Sequence, residues 1–249
     1  MITRAALYCP PSPKSETSCL LHFAKFEDLL KVAFKAHEHL PSLSACETWD
    51  AESDSLVNAK GSKSYSLLLE LQSQQQDVQE ELEEFCAGIM HLADPDGSMI
   101  AQDQAQGKEI MQRREDIPVK AVSTPGALVY KYDVSLPHGL FYKVVEEARS
   151  LLCSRAVAIG YGHLLDGNVH LNVITPEGEG EEVKGLLEPH IYEWTARNGG
   201  SISAEHGIGL FKRDYLTLAK DPATIDLFKR IKGVFDPKGI LNPKKLLPL

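Results

Sequence analysis

The amino-acid sequence predicts an α+β fold, with an antiparallel sheet covered by helices on one face. The first observation behind it is a rhythm of strand-like and helix-like stretches in two halves, each of the form strand–helix–strand with short returns. The second is composition: of the 249 residues, 43% are hydrophobic and 24% are charged, which is typical of a globular protein with a substantial core. The third is that the returns are short, which favours an antiparallel sheet over a doubly wound parallel one. GxGxxG and Walker sequences do not occur, so the sequence carries no phosphate-cradling motif.

Strands are predicted where β-branched, aromatic and other apolar residues gather or alternate between turn-forming residues. The first such stretch ends at Pro10, Pro11 and Pro13, which interrupt any regular structure. The predicted strands are residues 2–9, 20–23, 43–49, 64–71, 128–134, 157–161 and 168–175.

Helices are predicted where apolar residues recur at spacings of three and four, as Phe26, Leu29 and Ala33 do. The tail is mostly helical from Arg213 onward and ends in an ordered loop over residues 235–243. We therefore expect an α+β domain over residues 1–205 and a C-terminal helical segment over residues 206–249. The predicted helices before the tail are residues 26–40, 77–90, 104–114, 139–152 and 181–198, the last ended by Gly199 and Gly200.

Charge and cysteine content exclude several classes of protein. The net charge is −9 and the basic residues form no stripe, so a nucleic-acid partner is not expected. No apolar run approaches the about 18 residues of a membrane helix, and the N-terminus has no targeting-peptide pattern. The five cysteines contain no CxxC pair, which favours reduced thiols in a cytosolic or matrix-like compartment over a disulfide framework.

The stretch HLLDGNVH carries His163 and His170 in a segment that glycines keep from forming a helix. A tight turn at Asp166-Gly167 would bring the two imidazoles to one side of a hairpin. Glu205, in SAEHG, would complete a set of two histidines and one carboxylate, which is common in catalytic zinc sites. The same set suits iron, manganese or cobalt in an octahedral shell. The alternative is that the two histidines are only a structural pair.

Two cations and one amide extend this candidate site. Asn172 follows His170 by two residues and so lies on the same face of its strand. Lys131 is in the middle of a predicted strand, and Arg114 is near the end of a predicted helix. Either cation could simply be solvated. If both face the histidines, metal and cations together would suit a small dicarboxylate or hydroxy acid.

Three motifs resemble the C-terminal half of the FAD-linked D-2-hydroxyacid dehydrogenases. They are GYGHLLDGNVHLN at 160–172, GGSISAEHGIG at 199–209 and FDPKGILNPKK at 235–245. The stretches LYCPPSPK, VYKYDVSLP and LEPHIYEWTA are similar to the members that oxidise D-2-hydroxyglutarate. The resemblance spans nearly the whole chain and implies the ferredoxin-like sheet of the FAD-linked oxidase C-terminal domain.

The resemblance implies a role for each candidate residue. In the family, the positions of His163, His170 and Glu205 hold Zn²⁺, which acts as a Lewis acid on the substrate. His206 is implied to bind substrate and take its hydroxyl proton, as the catalytic base. Hydride would pass to FAD, whose domain precedes this region in relatives. Further implied contacts are Arg114, Lys131 and Asn172 with substrate and Asn242 with the cofactor.

Two positions depart from the family pattern. Leu165 stands where glycine is usual, so its side chain could strain a positive-φ position. Pro118 stands where a substrate-binding threonine is usual, which makes the assignment of Arg114 less direct than that of the zinc ligands.

The expected function is the substrate and metal half of an enzyme that oxidises D-2-hydroxyglutarate to 2-oxoglutarate. Alternatives are an enzyme for D-lactate or another D-2-hydroxyacid, and a non-catalytic truncated module that binds metal or a full-length partner. The N-terminus looks like a mid-chain segment, so the flavin domain on which residues 206–249 would pack is expected to be missing. Implied partners are a 2-hydroxy acid, an electron-transfer flavoprotein and a second copy in a homodimer, and the implied location is the mitochondrial matrix.

Overall fold

The computed structural model describes residues 2–58, 64–75 and 77–247. In these residues, seven strands form a single sheet in the order β4-β1-β3-β2-β6-β7-β5, and every neighbouring pair is antiparallel. This confirms the predicted α+β class. The strands are β1 (Ser15–Phe23), β2 (Leu43–Trp49), β3 (Tyr65–Ser73), β4 (Asp94–Ile100), β5 (Leu128–Ser135), β6 (Val157–His163) and β7 (Asn168–Thr175).

A helix follows each strand from β1 to β5, β6 leads directly into β7, and the remaining helices follow β7. Short 3₁₀ turns at residues 138–140 and 213–215 precede α5 and α8. Among the described helices, none combines the length and apolar character of a bilayer-spanning segment. The helices are α1 (Phe26–His39), α2 (Ala51–Val57), α3 (Gln79–Ile89), α4 (Gln104–Val122), α5 (Lys143–Leu152), α6 (Gly180–Leu187), α7 (His190–Arg197), α8 (Leu216–Ala219) and α9 (Pro222–Phe235).

The chain contains two ferredoxin-like halves joined along one pair of strands. In the first half, the order β4-β1-β3-β2 is that of a complete βαββαβ unit, with α1 and α3 as its helices. The second half repeats the arrangement as β6-β7-β5, with α5 following β5, but has no fourth strand in the described residues. A single bridge between Ser135 and Ser201 stands where that fourth strand would pair with β5. The pairing of β2 with β6 is therefore the seam between the halves.

Helices cover both faces of the sheet, whereas the sequence predicted cover on one face only. The larger core lies between the sheet and α1, α3, α5, α6 and α7, and it includes Leu67, Leu69 and Leu171. The smaller core lies under α2 and α4 and includes Leu68, Trp49 and Ile117. Consecutive leucines in β3 point to opposite faces, so such a run indicates a strand buried on both sides.

Several predicted elements differ from the structure. Residues 2–13 form no strand and are almost entirely exposed, and β1 begins only at Ser15. The strand β4 was not predicted because DPDGSMI contains Pro95 and Gly97, which are typical of turns. Helix α4 continues through Pro118 to Val122, beyond the predicted end at Arg114. The predicted helix over residues 181–198 is divided into α6 and α7 at Glu188-Pro189.

Strand register places the candidate site residues on the face covered by α2 and α4. Directly opposed residues of antiparallel strands share a face. One row of the sheet holds Trp49, Tyr161, His170 and Asp133, and the row beside it holds Glu47, His163, Asn168 and Ser135. A third row holds Ile159, Asn172 and Lys131. The seam and the second half thus contribute polar side chains to a single surface.

Candidate metal and substrate site

The predicted metal ligands converge on a single oxygen atom. Glu205 Oε1 lies 3.4 Å from His170 Nε2, 3.6 Å from His206 Nε2 and 3.9 Å from His163 Nε2. His163 and His170 stand at the end of β6 and within β7, whereas Glu205 and His206 lie on the loop after Ser201. Three imidazole nitrogens and one carboxylate oxygen therefore point into one small volume.

Glycines allow the turn between β6 and β7 that brings His163 and His170 together. Gly167 has φ +65°, and a Cβ on it would lie 2.4 Å from the carbonyl oxygen of Leu136. Any side chain at this position would clash with the end of β5. Leu165 is not among the positive-φ residues of the described chain and packs against the larger core. Leu165 therefore does not occupy a positive-φ position, and the strain considered for this departure from the family pattern does not arise.

A buried carboxylate stands behind each of the two histidines. His163 Nδ1 donates to Glu47 Oε1 at 2.6 Å, and His170 Nδ1 lies 3.8 Å from Asp133 Oδ1. Each ring thus directs Nδ1 toward a carboxylate and Nε2 toward Glu205. Metal-binding histidines have this arrangement, because the carboxylate fixes the tautomer that leaves the other nitrogen free to bind.

The donor set fits a divalent ion. Ligand atoms in tetrahedral zinc sites with bonds of about 2.0–2.2 Å are about 3.3–3.6 Å apart, close to the separations around Glu205 Oε1. Of the buried side-chain polar atoms in the described residues, three have no hydrogen-bond partner, and two of them, Asp133 Oδ1 and Asn168 Oδ1, belong to the two rows of the sheet that hold His170 and His163. Such atoms are rare in folded proteins and concentrate at functional sites.

The tightest group of donors differs from the predicted ligand set. One ligand atom from each of Asp133, His170, Glu205 and His206 lies within 4.8 Å of the others. Of the predicted set, His163 is outside this group, although its Nε2 is 3.9 Å from Glu205. The predicted ligands His163, His170 and Glu205 therefore share their space with His206, and Asp133 lies immediately behind His170.

Electrostatics shift the pKa values of the two strand histidines in opposite directions. Burial, together with the positive charge of Arg114 and His163, lowers the pKa of His170 to about 4, so that it is neutral at pH 7. The hydrogen bond to Glu47 raises the pKa of His163 above its usual value. Burial raises the pKa of Glu47, but the hydrogen bond from His163 and the charge of Arg114 outweigh it and hold that pKa below its usual range.

Arg114 and Asn172 join the cluster through Tyr161 and Glu47. Arg114 Nε donates to Glu47 Oε2 at 2.8 Å, and its guanidinium lies 4.8 Å from the centre of the Tyr161 ring. Asn172 Nδ2 donates to Tyr161 Oη at 2.9 Å. Both predicted substrate contacts are thus buried members of the site and not solvated surface groups. Because Arg114 is held at Nε, the outer nitrogens of its fork remain for an anion.

Lys131 and Asn242 have different surroundings. Lys131 is exposed, lies opposite Asn172, and lines a cavity of about 520 Å³ together with His206 and Lys184. Asn242 is in the C-terminal tail and lines a separate cavity of about 560 Å³ beside Phe235. The structure thus brings Lys131 to the site's margin but does not bring Asn242 to the histidines.

Three residues of this site were not predicted: Glu47, Asp133 and Tyr161. The sequence signal for the two acids was an isolated carboxylate within a buried strand, which is costly unless it has a partner. Their partners are remote in sequence: Glu47 and His163 are 116 positions apart. No local pattern identifies such partners.

The chain belongs to the family of the FAD-linked oxidases and corresponds to their C-terminal domain. The sequence profile described as "FAD linked oxidases, C-terminal domain" matches residues 12–246. Curated relatives include the mitochondrial D-2-hydroxyglutarate dehydrogenases of Arabidopsis thaliana, 36% identical, and Rattus norvegicus, 37% identical. Each match covers 100% of this chain, and it covers 46% of the Arabidopsis protein and 48% of the rat protein.

A yeast relative and a solved structure complete these comparisons. The putative mitochondrial D-lactate dehydrogenase of Schizosaccharomyces pombe is 32% identical, over 98% of this chain and 50% of that protein. A structure of 4-ethylphenol oxidase from Gulosibacter chungangensis superposes with a TM-score of 0.65 at 14% identity, over 96% of this chain and 55% of that chain, which shows the shared fold. The chain spans about half the length of the curated relatives it matches.

Proposed function

We propose that the chain is the metal- and substrate-binding half of an FAD-dependent dehydrogenase that oxidises D-2-hydroxyglutarate to 2-oxoglutarate. The observation that carries the proposal is the convergence of three imidazole nitrogens on Glu205 Oε1, with Glu47 and Asp133 behind two of the rings. The names of the Arabidopsis and rat relatives support the substrate.

His163, His170 and Glu205 would hold Zn²⁺, which when bound supplies a Lewis acid for the hydroxyl and carboxylate of the substrate. His206 Nε2 takes the hydroxyl proton. The side chain of His206 is half exposed and therefore accessible to substrate, and its ring is held beside the ligands by stacking on His170, with centroids 5.5 Å apart. The fork of Arg114 and the ammonium of Lys131 bind carboxylates, and the amide of Asn172 orients the bound acid. FAD, when bound, supplies the acceptor for the hydride from C2.

We also propose that residues 206–249 pack on the flavin domain of the complete enzyme, with residues 1–205 as the substrate domain. A row of apolar side chains on α9 and the tail supports this, because large exposed apolar patches mark contact surfaces. Asn242, beside that patch, is the proposed cofactor contact. The exposed apolar side chains are Leu227, Ile231, Val234, Phe235 and Ile240.

The names of the relatives are the only support for a cellular location. Those of Arabidopsis, rat and fission yeast carry mitochondrial names, which supports a mitochondrial location, and we propose the matrix. An electron-transfer flavoprotein is the proposed electron acceptor, and a homodimer is the proposed assembly.

The second candidate substrate is D-lactate, because the fission-yeast relative carries that name. D-2-hydroxyglutarate has two carboxylates and D-lactate has one. The presence of two cations, Arg114 and Lys131, therefore favours the diacid. An enzyme for D-lactate needs only one of them.

Calorimetric titration of the zinc-loaded chain would separate these candidates. We expect D-2-hydroxyglutarate to bind at least about tenfold more tightly than D-lactate, a difference of about 1.4 kcal/mol. In Lys131→Met the preference should fall, whereas Lys108→Met, on the exposed side of α4, should retain it. Equal binding of both acids would favour the D-lactate alternative. Binding of neither would contradict the proposal and favour a non-catalytic module.

A further inference from the structure

The loop that carries Glu205 and His206 is exposed, yet a buried carboxylate fixes its backbone. Asp133 Oδ2 accepts hydrogen bonds from three successive backbone N–H groups, those of Ala204 at 3.0 Å, Glu205 at 3.0 Å and His206 at 2.8 Å. The hydroxyl of Ser203 donates to the same oxygen at 3.3 Å. Residues 203–207, here termed the ligand loop, therefore wrap around an acid that projects from β5.

Lys212 supplies the positive charge for this buried acid. Its Nζ lies 3.9 Å from Asp133 Oδ2 and donates to the backbone oxygen of Asp133 at 3.2 Å and to Ser203 Oγ at 3.1 Å. Asp133 is fully buried and Lys212 is 7% exposed, so each charge depends on the other. Because Lys212 contacts both β5 and the start of the ligand loop, it ties the loop to the sheet.

The second oxygen of Asp133 faces a candidate metal ligand. Within residues 2–58, 64–75 and 77–247, Asp133 Oδ1 has no hydrogen-bond partner, and it lies 3.8 Å from His170 Nδ1. One carboxylate group therefore stands behind His170 and also holds the backbone of Glu205. The relative position of these two ligands, 3.4 Å apart at His170 Nε2 and Glu205 Oε1, depends on Asp133.

We infer that Asp133 and Lys212 are positioning residues of the metal site. They hold the ligand loop in the place where a fourth strand would complete the second half of the sheet, so that Glu205 meets His170. This inference rests on the proposed function, because it assigns the pair a purpose in metal binding. A purely structural pair would stabilise the fold without affecting the affinity for metal.

Two measurements on the full chain test this inference. Hydrogen exchange of the amides of residues 204–206, without metal, reports on the hydrogen bonds to Asp133. Competition between the chain and a chromogenic chelator for Zn²⁺ reports on the geometry of the ligands. Lys212→Met should accelerate exchange of these amides at least about tenfold, and should weaken Zn²⁺ binding about tenfold to a hundredfold.

Two matched variants separate charge from packing. Lys212→Arg keeps the charge and should restore most of the protection and affinity, whereas Lys184→Met, in the same cavity, should change neither. If Lys212→Met does not fold, Ser203→Ala removes one acceptor of Lys212 and should shift both readings in the same direction by a smaller factor.

Unchanged exchange in a folded Lys212→Met chain would overturn the inference. Faster exchange with unaltered Zn²⁺ affinity would also overturn it, because the loop would then be held without consequence for the ligands. If the unaltered chain binds no Zn²⁺, the proposed metal site fails, and with it the purpose assigned to the pair. The exchange data would in that case still show whether Lys212 holds the loop.

Discussion

The two halves of the sheet differ at one edge. The first half ends in the strand β4, whereas the second half has the loop of the candidate site in the corresponding place. In the first half, β4 pairs with β1 through backbone contacts such as Cys19 with Ile100. In the second half, the corresponding edge of β5 makes one bridge, between Ser135 and Ser201, before the chain becomes the ligand loop. The loop backbone then bonds to the side chain of Asp133 where a strand would bond to backbone.

This difference shows how a repeated unit can provide both a scaffold and a site. A strand directs alternate side chains to the two faces of the sheet, whereas a loop can direct Glu205 and His206 together toward one point. The cost of a loop is its loss of ladder hydrogen bonds, which Asp133 offsets. Binding residues on loops held by a rigid sheet are common for this reason.

The seam between the halves is the part on which both depend, and its polar contacts lie on both faces. On the face of the larger core, Asp50 accepts from Arg149 Nη2 at 2.7 Å, Tyr142 Oη at 3.1 Å and the Gly160 backbone at 3.0 Å, all in the second half. On the site face, Glu47 contacts His163 and Arg114. Asp50 thus joins the halves, and Glu47 supports the site across the seam.

Replacement of Asp50 should have the largest effect on stability. Asp50→Ala removes the carboxylate that pairs with the partly buried Arg149 and accepts from the buried Gly160 N–H, and we expect a loss of about 3–5 kcal/mol in the free energy of unfolding. Urea denaturation would measure it. Asp28→Ala, which removes an exposed ion pair with Lys31, should leave the midpoint unchanged. A small loss in Asp50→Ala would show that the backbone pairing of β2 with β6 and the packing around it hold the halves together without this carboxylate.

Asp133→Asn should affect metal binding more than stability. If the amide oxygen faces the ligand loop, the amide N–H₂ faces His170 Nδ1 and favours the tautomer with a proton on Nε2, which cannot bind metal. We expect Zn²⁺ affinity to fall about a hundredfold. The loss of stability should be only about 1–2 kcal/mol, because the amide oxygen still accepts from the ligand loop and Lys212 still donates to Ser203 Oγ and to the backbone oxygen of residue 133. Chelator competition and urea denaturation would measure the two changes. Affinity within a factor of about three of the unaltered chain would place Asp133 outside the metal site.

The smallest effect is expected at the completed edge of the first half. Gly97 in β4 has φ +85°, and a Cβ on it would lie 3.0 Å from the ring of His22. Gly97→Ala should therefore cost about 1–2 kcal/mol of stability through backbone strain. Zn²⁺ affinity should not change, because β4 is at the opposite edge of the sheet from the site. A fall in Zn²⁺ affinity together with the loss of stability would show that the two edges of the sheet are not independent.

Much of the fold was predictable because its signals are local. The strands β2, β3, β5, β6 and β7 were predicted within a few residues, since each is an apolar or alternating run between turn-forming residues. The strand β4 and the helix α2 were missed. Both are short and polar, and α2 begins with the side chain of Asp50 as its cap, which a sequence pattern does not separate from a loop.

The site was predictable only as far as its motifs extend. His163 and His170 were identified by the glycine-interrupted hairpin and Glu205 as the carboxylate that would complete their set, whereas the role of His206 came from the family resemblance. The residues behind them make contacts with residues that are remote in sequence. Asp133 and Ala204, for example, are 71 positions apart. Those contacts exist only after β5 and β7 pair, so composition and periodicity contain no trace of them.

The most direct test of the metal site is the zinc content of the purified full chain, measured by inductively coupled plasma mass spectrometry. We predict about one equivalent in the unaltered chain and a loss of most of it in His163→Ala, which removes one of three ligands. His190→Ala, which alters a histidine paired with Glu147 outside the site, should retain the metal. Retained zinc in His163→Ala, or none in the unaltered chain, would contradict the assignment of His163, His170 and Glu205 as a metal centre.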